Sequence, residues 1–147
     1  MTGQELFLTH GHQADWWNFL FWKWSRFMVR VLWKPLNVMG IADPTSPAKN
    51  YKELIKIERR TKKWITENNN LITIVGHTHR PRFPEPGNIA FFNDGSCVHP
   101  RSITGIEIEN GSISLIKWQI ATTDDGTLKI VRVLLEGPKK LIDYKTE

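Results

Sequence analysis

The sequence contains two pairs of histidines, and in each pair a single residue separates the two side chains. His10 and His12 follow a short apolar run, and His77 and His79 follow the longer apolar run of residues 71–75. Both runs predict strands, and the second has the composition of a buried one. Since side chains one residue apart leave the same face of extended backbone, we expect each pair of imidazoles to point together from a strand end.

Such pairs have two interpretations. Neutral imidazole is a common ligand for borderline transition metals, whereas a single pair of this kind is more often two polar residues in a loop. Four of the five histidines in the chain lie in these two places. The second pair therefore favours a shared site over two unrelated loops.

Three segments resemble motifs of the calcineurin-like metallophosphoesterases. Residues 76–79, Gly-His-Thr-His, look like the last metal motif of that family, and residues 7–12 look like the motif that precedes it. Residues 92–96, Phe-Asn-Asp-Gly-Ser, fit the same order and separation. The family's earlier motifs, an Asp-x-His, a Gly-Asp and a Gly-Asn-His followed by an acid, do not occur in this sequence. The resemblance therefore implies that residues 1–147 form a partial domain, the C-terminal part of such an enzyme, whose N-terminal half is missing or lies on a partner chain.

The resemblance also implies the chemistry and the site residues. Members of the family hydrolyse phosphate esters with two divalent metal ions, manganese, iron or zinc, that share a bridging hydroxide. It assigns His10 and His77 to one metal and His79 to the other. It gives His12 a catalytic and substrate-binding role at the phosphate or the leaving-group oxygen, with a backbone-bonded loop histidine as the alternative. Arg80 is a candidate to bind the anionic substrate, with a solvated surface position as the alternative.

Charge limits what these residues can do by themselves. Three neutral imidazoles cancel none of the charge of two divalent ions, which together need roughly eight to twelve ligand positions. Asp15 and Asp94 are the nearest carboxylates in the sequence, and neither matches a ligand motif. We therefore expect the chain alone to bind one metal or none and to hydrolyse phosphate esters poorly. Asn93 and Ser96 are expected to hold the turn beneath the site.

Composition limits the classes of binding partner and the cellular compartment that we expect for this chain. The formal net charge of +5 favours an anionic partner, such as a phosphate ester or an acidic membrane surface. No nucleic-acid-binding module is visible, so a nucleic-acid partner is not expected. The single cysteine, Cys97, excludes an intramolecular disulfide and favours a reducing, cytoplasmic location. The thiol also leaves open a function other than phosphoesterase activity, that of a structural domain with one zinc ion bound by histidines and Cys97.

A tryptophan-rich stretch at residues 16–33 predicts a helix with an apolar half and a basic stripe of Lys23, Arg26 and Arg30. Crossing a membrane would cost about 7–10 kcal/mol for the three cations and return only about 2–4 kcal/mol from Leu, Val and Phe, so a span is excluded. Two interpretations remain. The helix packs on the rest of the domain, or it lies peripherally on a lipid surface or lines a pocket for an amphiphilic phosphate ester. The second supports an alternative function, a non-catalytic module that binds lipid surfaces or partners.

The remaining pattern predicts the fold class. A second helix is expected at residues 48–68, with Tyr51, Leu54, Ile57, Trp64 and Ile65 on its buried side. Antiparallel strands are expected at residues 89–93, 103–109, 112–121 and 128–135, with a hairpin turn at Asn110-Gly111. Two helices followed by a mainly antiparallel sheet indicate an α+β or α/β fold and match the C-terminal half of the family's four-layer α/β/β/α sandwich. The tail after Pro138 is expected to lie on the surface.

Overall fold

A computed structural model describes residues 5–11, 20–28, 30–31, 51–98 and 101–144 of the chain. Within these residues the elements are, in order, β1 (Leu6–Thr9), α1 (Trp22–Met28), α2 (Tyr51–Glu67), β2 (Ile72–Val75), β3 (Phe91–Asn93), β4 (Ser102–Glu109), β5 (Ser112–Thr122), β6 (Leu128–Lys140) and a 3₁₀-helix (Leu141–Tyr144). They form two three-stranded sheets, β1-β2-β3 and β4-β5-β6. The expected mixed α/β class is confirmed, and the four-layer sandwich stays a prediction.

The first sheet is parallel, and β2 lies in its centre. The expectation that residues 89–93 belong to the antiparallel strands is wrong, because Phe91–Asn93 pairs in parallel with β2. The connection of residues 76–90 is long enough to carry the chain back to the start of the sheet, as a parallel neighbour requires. The register aligns Thr9, Val75 and Asn93, so the three strands end level with one another.

Strand β2 is buried on both faces, which explains its continuous apolar sequence. Ile72 and Ile74 face the main core, which also contains Ala90, Phe92, Ile113, Leu141 and Tyr144. Val75 faces the opposite side, where it packs with Phe91 and with Ile65 of α2. The parallel sheet therefore lies between α2 and the antiparallel sheet.

Helix α2 is amphipathic largely as predicted, with Leu54, Ile57 and Ile65 buried. Tyr51 and Trp64 were expected on the buried side, which is wrong, because their side chains are 62% and 38% exposed. The ring of Tyr51 lies instead under the guanidinium group of Arg80, at 5.5 Å from the ring centroid. The ring of Trp64 lies 4.8 Å from that of Phe7 on β1. The predicted start of the helix, residues 48–50, lies outside the described residues.

The second sheet is an antiparallel meander, as the alternating pattern predicts. Its first turn carries Asn110 at φ 49° and Gly111 at φ 74°, the backbone of a type I′ hairpin, so that prediction is confirmed. Strand β6 continues to Lys140, well beyond the predicted end at residue 135.

The C-terminal residues contradict the expectation of a surface tail. Leu141 and Tyr144 are each only 4% exposed and belong to the main core. Three residues apart in a 3₁₀-helix, they project from the same side. The Tyr144 hydroxyl donates a hydrogen bond to the carbonyl oxygen of Pro84 at 2.7 Å. In the sequence these two apolar residues stand among charged ones, so the segment has the composition of a surface tail.

Helix α1 lies inside the tryptophan-rich segment and confirms helical structure for residues 22–28. Residues 16–19, 29 and 32–33 of the predicted helix lie outside the described residues. No helix in the described part of the chain is long and apolar enough to cross a membrane.

Candidate functional site

The candidate site lies at the carboxyl edge of the parallel sheet. His10, Gly76 and Asp94 each follow directly on the aligned ends of β1, β2 and β3. The backbone N–H of Asp94 donates to the carbonyl oxygen of Val75 at 3.0 Å, so the pairing continues one residue beyond the strands. In open α/β sheets this edge is the usual place for ligand sites.

Gly76, at the centre of this row, has no side chain, so the side chains of His10 and Asp94 on either side of it can come close together. A Cβ atom on Gly76 would lie 3.2 Å from Oδ1 of Asp94 and 3.6 Å from Nδ1 of His10. The carboxylate and the imidazole therefore approach each other over the glycine. Burial raises the pKa of Asp94 above its usual range, and the charges of His10 and His79 act in the opposite direction.

The structure also brings the two separated histidine pairs together. The ring centroids of His10 and His77 are 5.3 Å apart, and the planes meet at 72°. Two imidazoles bound to one tetrahedral ion through bonds of about 2.0–2.1 Å place their centroids roughly 5 Å apart. The separation is therefore compatible with a shared metal ion, and the ligand roles stay a prediction.

The backbone that carries the second pair differs from the one assumed above. His77 and His79 have φ of 62° and 54°, so the extended backbone assumed for this pair is wrong. The N–H of Thr78 donates to the carbonyl oxygen of Gly76 at 2.7 Å, which closes a three-residue γ-turn around His77. Such conformations cost of order 1–3 kcal/mol per non-glycine residue and persist only where the surroundings impose them.

Asn93 imposes this turn from below. Its buried amide nitrogen donates to the carbonyl oxygen of Gly76 and to the hydroxyl of Thr78, both at 2.9 Å. Its amide oxygen accepts from the N–H of Gly95 at 2.9 Å. The expectation that Asn93 holds the turn beneath the site is confirmed.

Ser96 fixes the following turn in a similar way. Its N–H donates to the hydroxyl of Thr104 on β4 at 2.9 Å, and its own hydroxyl accepts from the N–H of Val98 at 3.2 Å. The bond to Thr104 ties the segment after Asp94 to the second sheet. The expectation that Ser96 holds the turn beneath the histidines stays a prediction.

The remaining predicted residues are His79, Arg80, His12 and Cys97. His79 is half-buried and close enough to Asp94 to influence its charge, whereas Arg80 is exposed and rests on Tyr51. His12 lies outside the described residues. Cys97 is exposed.

In residues 5–11, 20–28, 30–31, 51–98 and 101–144, no three His, Cys, Asp or Glu side chains form a cluster that could hold a metal ion. Those residues alone therefore complete neither the dinuclear site nor the structural zinc site.

Asp94 is the site residue that sequence reasoning missed. It matches no ligand motif, and the sequence does not reveal that β3 lies beside β2 in parallel. The available signal was its position, since it comes two residues after the apolar run that ends at Phe92, as His10 comes two residues after Leu8. Pairing the two strands in parallel would have placed its carboxylate at this edge.

Comparisons with known proteins add little to this description. No protein-family model matches the chain. No curated protein matches it either. Among solved structures, the crystal structure of Chaetomium thermophilum Vps29 is similar at 17% sequence identity with a TM-score of 0.31. That match covers 53% of this chain and 48% of the other, about half of each, and a superposition this loose establishes no shared fold.

Proposed function

We propose that this chain contributes to a metal-dependent phosphoesterase site that hydrolyses a phosphate ester. The supporting observation is the meeting of His10 and His77, which lie far apart in the sequence, at the carboxyl edge of a parallel sheet. The two motifs that resemble metallophosphoesterases carry these histidines. Imidazole nitrogens beside a carboxylate suit manganese, iron or zinc.

The roles follow from position and chemistry. His10 and His77 would hold one divalent ion, and His79 would contribute to a second. Ions bound there supply a water that ionises near neutral pH and positive charge for the phosphoryl oxygens. Asp94 would offset part of the positive charge from beside His10. A protonated His12 could donate hydrogen bonds from both nitrogens to the phosphate or the leaving group, and Arg80 could bind the substrate's charge.

We propose that the acidic ligands of the site enter along the outer edge of β1. Within the described residues β1 is an end strand of its sheet and pairs only with β2. The outer edge of an end strand accepts a further strand through backbone hydrogen bonds. A parallel strand added there, from elsewhere in this chain or from a partner chain, would end beside His10. Carboxylates at that end would balance the metal charge that the imidazoles leave uncompensated.

Cobalt(II) titration followed by visible absorption tests the metal site, and p-nitrophenyl phosphate with manganese tests the chemistry. We expect weak binding of a single ion, lost in His10→Ala and His77→Ala, and retained in His12→Ala. The control Cys97→Ser should leave the spectrum unchanged, since the thiol is not a ligand in this proposal. We expect only slow hydrolysis, reduced further by His12→Ala.

Each alternative outcome has a distinct meaning. Cobalt binding that survives both histidine substitutions would contradict the proposed site. Loss of the spectrum in Cys97→Ser would favour the structural zinc domain instead. Rapid hydrolysis by the chain alone would keep the enzymatic proposal but refute the need for acidic ligands from outside it.

A further inference from the structure

The segment of residues 20–31, which contains α1, exposes an unusual amount of apolar surface. Six of its apolar side chains are between 41% and 62% exposed: Leu20, Phe21, Trp22, Trp24, Phe27 and Val31. Large contiguous apolar patches on a protein surface mark interaction sites. The interpretation that this helix packs its apolar half on the domain finds no support in the described residues.

The basic side chains and most of the apolar ones occupy different sides of the segment, and Trp22 lies on the basic side. Trp24 and Phe27 are three residues apart in α1, which places them on one helical face. Leu20 and Val31, outside the two ends of the helix, continue the spacing of three or four residues in the sequence. The rings of Trp24 and Phe27 lie 5.8 Å apart, as this spacing requires. An amphipathic helix with its apolar face uncovered needs a partner surface for that face.

The basic side gives the chemistry of the partner. Lys23, Arg26 and Arg30 are all exposed, at the helical spacing of three and four residues. Residues 20–31 contain no Asp or Glu, so no opposite charge within the segment compensates them. The ammonium group of Lys23 lies 5.7 Å from the ring centroid of Trp22, and this pairing of a cation with an amphipathic aromatic is typical of membrane interfaces.

We propose that residues 20–31 bind the surface of an anionic phospholipid membrane. The apolar face enters the boundary between headgroups and acyl chains, and the three cations meet the lipid phosphates. Helix α1 has seven residues, about 10 Å of helix, which is too short to cross a hydrocarbon core of about 30 Å, so the proposal places it along the surface. This inference is independent of the proposed phosphoesterase, because it needs neither metal nor substrate.

Helix α2 supplies a matched comparison within the same chain. It also exposes basic side chains, including Lys52, Arg59 and Lys63, but its apolar residues Leu54 and Ile57 are buried in the protein. Its exposed apolar side chains, Tyr51, Ile55 and Trp64, are fewer than those of residues 20–31, so α2 offers a vesicle charge with less apolar surface. Removing equal charge from the two helices separates membrane docking from general electrostatic attraction.

Flotation with vesicles of phosphatidylcholine, with or without phosphatidylglycerol, tests the proposal. We expect metal-free protein to float with the anionic vesicles. Each basic residue near such a surface contributes about a fivefold gain in affinity, so Lys23→Gln, Arg26→Gln and Arg30→Gln together should weaken binding roughly a hundredfold. The α2 control, Lys52→Gln with Arg59→Gln and Lys63→Gln, should retain most of the binding.

A second variant tests the apolar face. Trp24→Ser with Phe27→Ser should weaken binding and reduce the blue shift of tryptophan fluorescence that vesicles cause. Circular dichroism and urea unfolding establish that each variant is folded. Absence of flotation, or equal losses in the α1 and α2 charge variants, would overturn the proposal. So would a dimer that Trp24→Ser with Phe27→Ser dissociates while flotation is unchanged, since a second copy would then be the occupant.

Discussion

Replacing Asn93 by alanine tests whether the buried amide holds the histidine turn. The substitution removes two donors and one acceptor, which leaves the hydroxyl of Thr78 and the N–H of Gly95 without this partner. The carbonyl oxygen of Gly76 loses one of its two donors and keeps the N–H of Thr78. A buried polar group left unsatisfied costs about 1–3 kcal/mol, or about 2–6 kcal/mol for two. Water entering the space would recover part of this, so we expect a loss of about 2–4 kcal/mol.

Urea unfolding at neutral pH measures the loss as a lower midpoint with an unchanged slope. The matched control is Asn88→Ala, an exposed asparagine in the same region, which should change the unfolding free energy by less than about 0.5 kcal/mol. Since the amide also fixes His77, cobalt binding should weaken in Asn93→Ala beyond what partial unfolding explains. If both variants unfold at the same urea concentration, the amide does not support the turn and the reasoning is wrong.

Three further predictions concern the site edge and the C-terminal core. Gly76→Ala places a methyl group against the flanking carboxylate and imidazole, so it should weaken cobalt binding, whereas Gly105→Ala, with nothing within 4 Å of its Cβ, should not. Leu141→Ala should lower the unfolding free energy by about 2–5 kcal/mol, measured in urea, and the exposed Ile142→Ala by much less. Burial, reinforced by neighbouring carboxylates, raises the pKa of Tyr144 to about 12 from 10.0. The folded state therefore holds this proton more tightly, so stability present below pH 10 should fall as the pH rises towards 12. Thermal unfolding should show a smaller fall in Tyr144→Phe, and equal slopes would refute this origin.

Local sequence patterns were sufficient to locate the elements whose apolar residues form one regular series. It located α2 through Leu54, Ile57 and Ile65, the central strand β2 through its unbroken apolar run, and the hairpin through Asn110-Gly111. It failed for β3, because alternation within a three-residue strand does not identify the neighbouring strand. It also failed for the C-terminal residues, where two apolar side chains among charged ones looked like a surface tail.

The candidate site was predictable only in part for a related physical reason. His10 and His77 could be expected to meet because each follows an apolar strand. The contribution of Asp94 depends on the alignment of β3 with β2, which is a long-range property. The left-handed backbone of His77 was also not predictable from the sequence, because it is supported by hydrogen bonds from the buried side chain of Asn93, which is distant in the sequence.

The burial of Leu141 and Tyr144 has a consequence for the order of events during synthesis. These side chains pack against Ile72, Ile74 and Phe92, on the strands that carry the histidines and the aspartate. A ribosome makes them well after those strands, so the nascent polypeptide lacks part of the support for its parallel sheet until residue 144 has left the exit tunnel. Chaperone contact with β2 should therefore persist late into translation, and early termination near residue 140 should yield aggregation-prone protein.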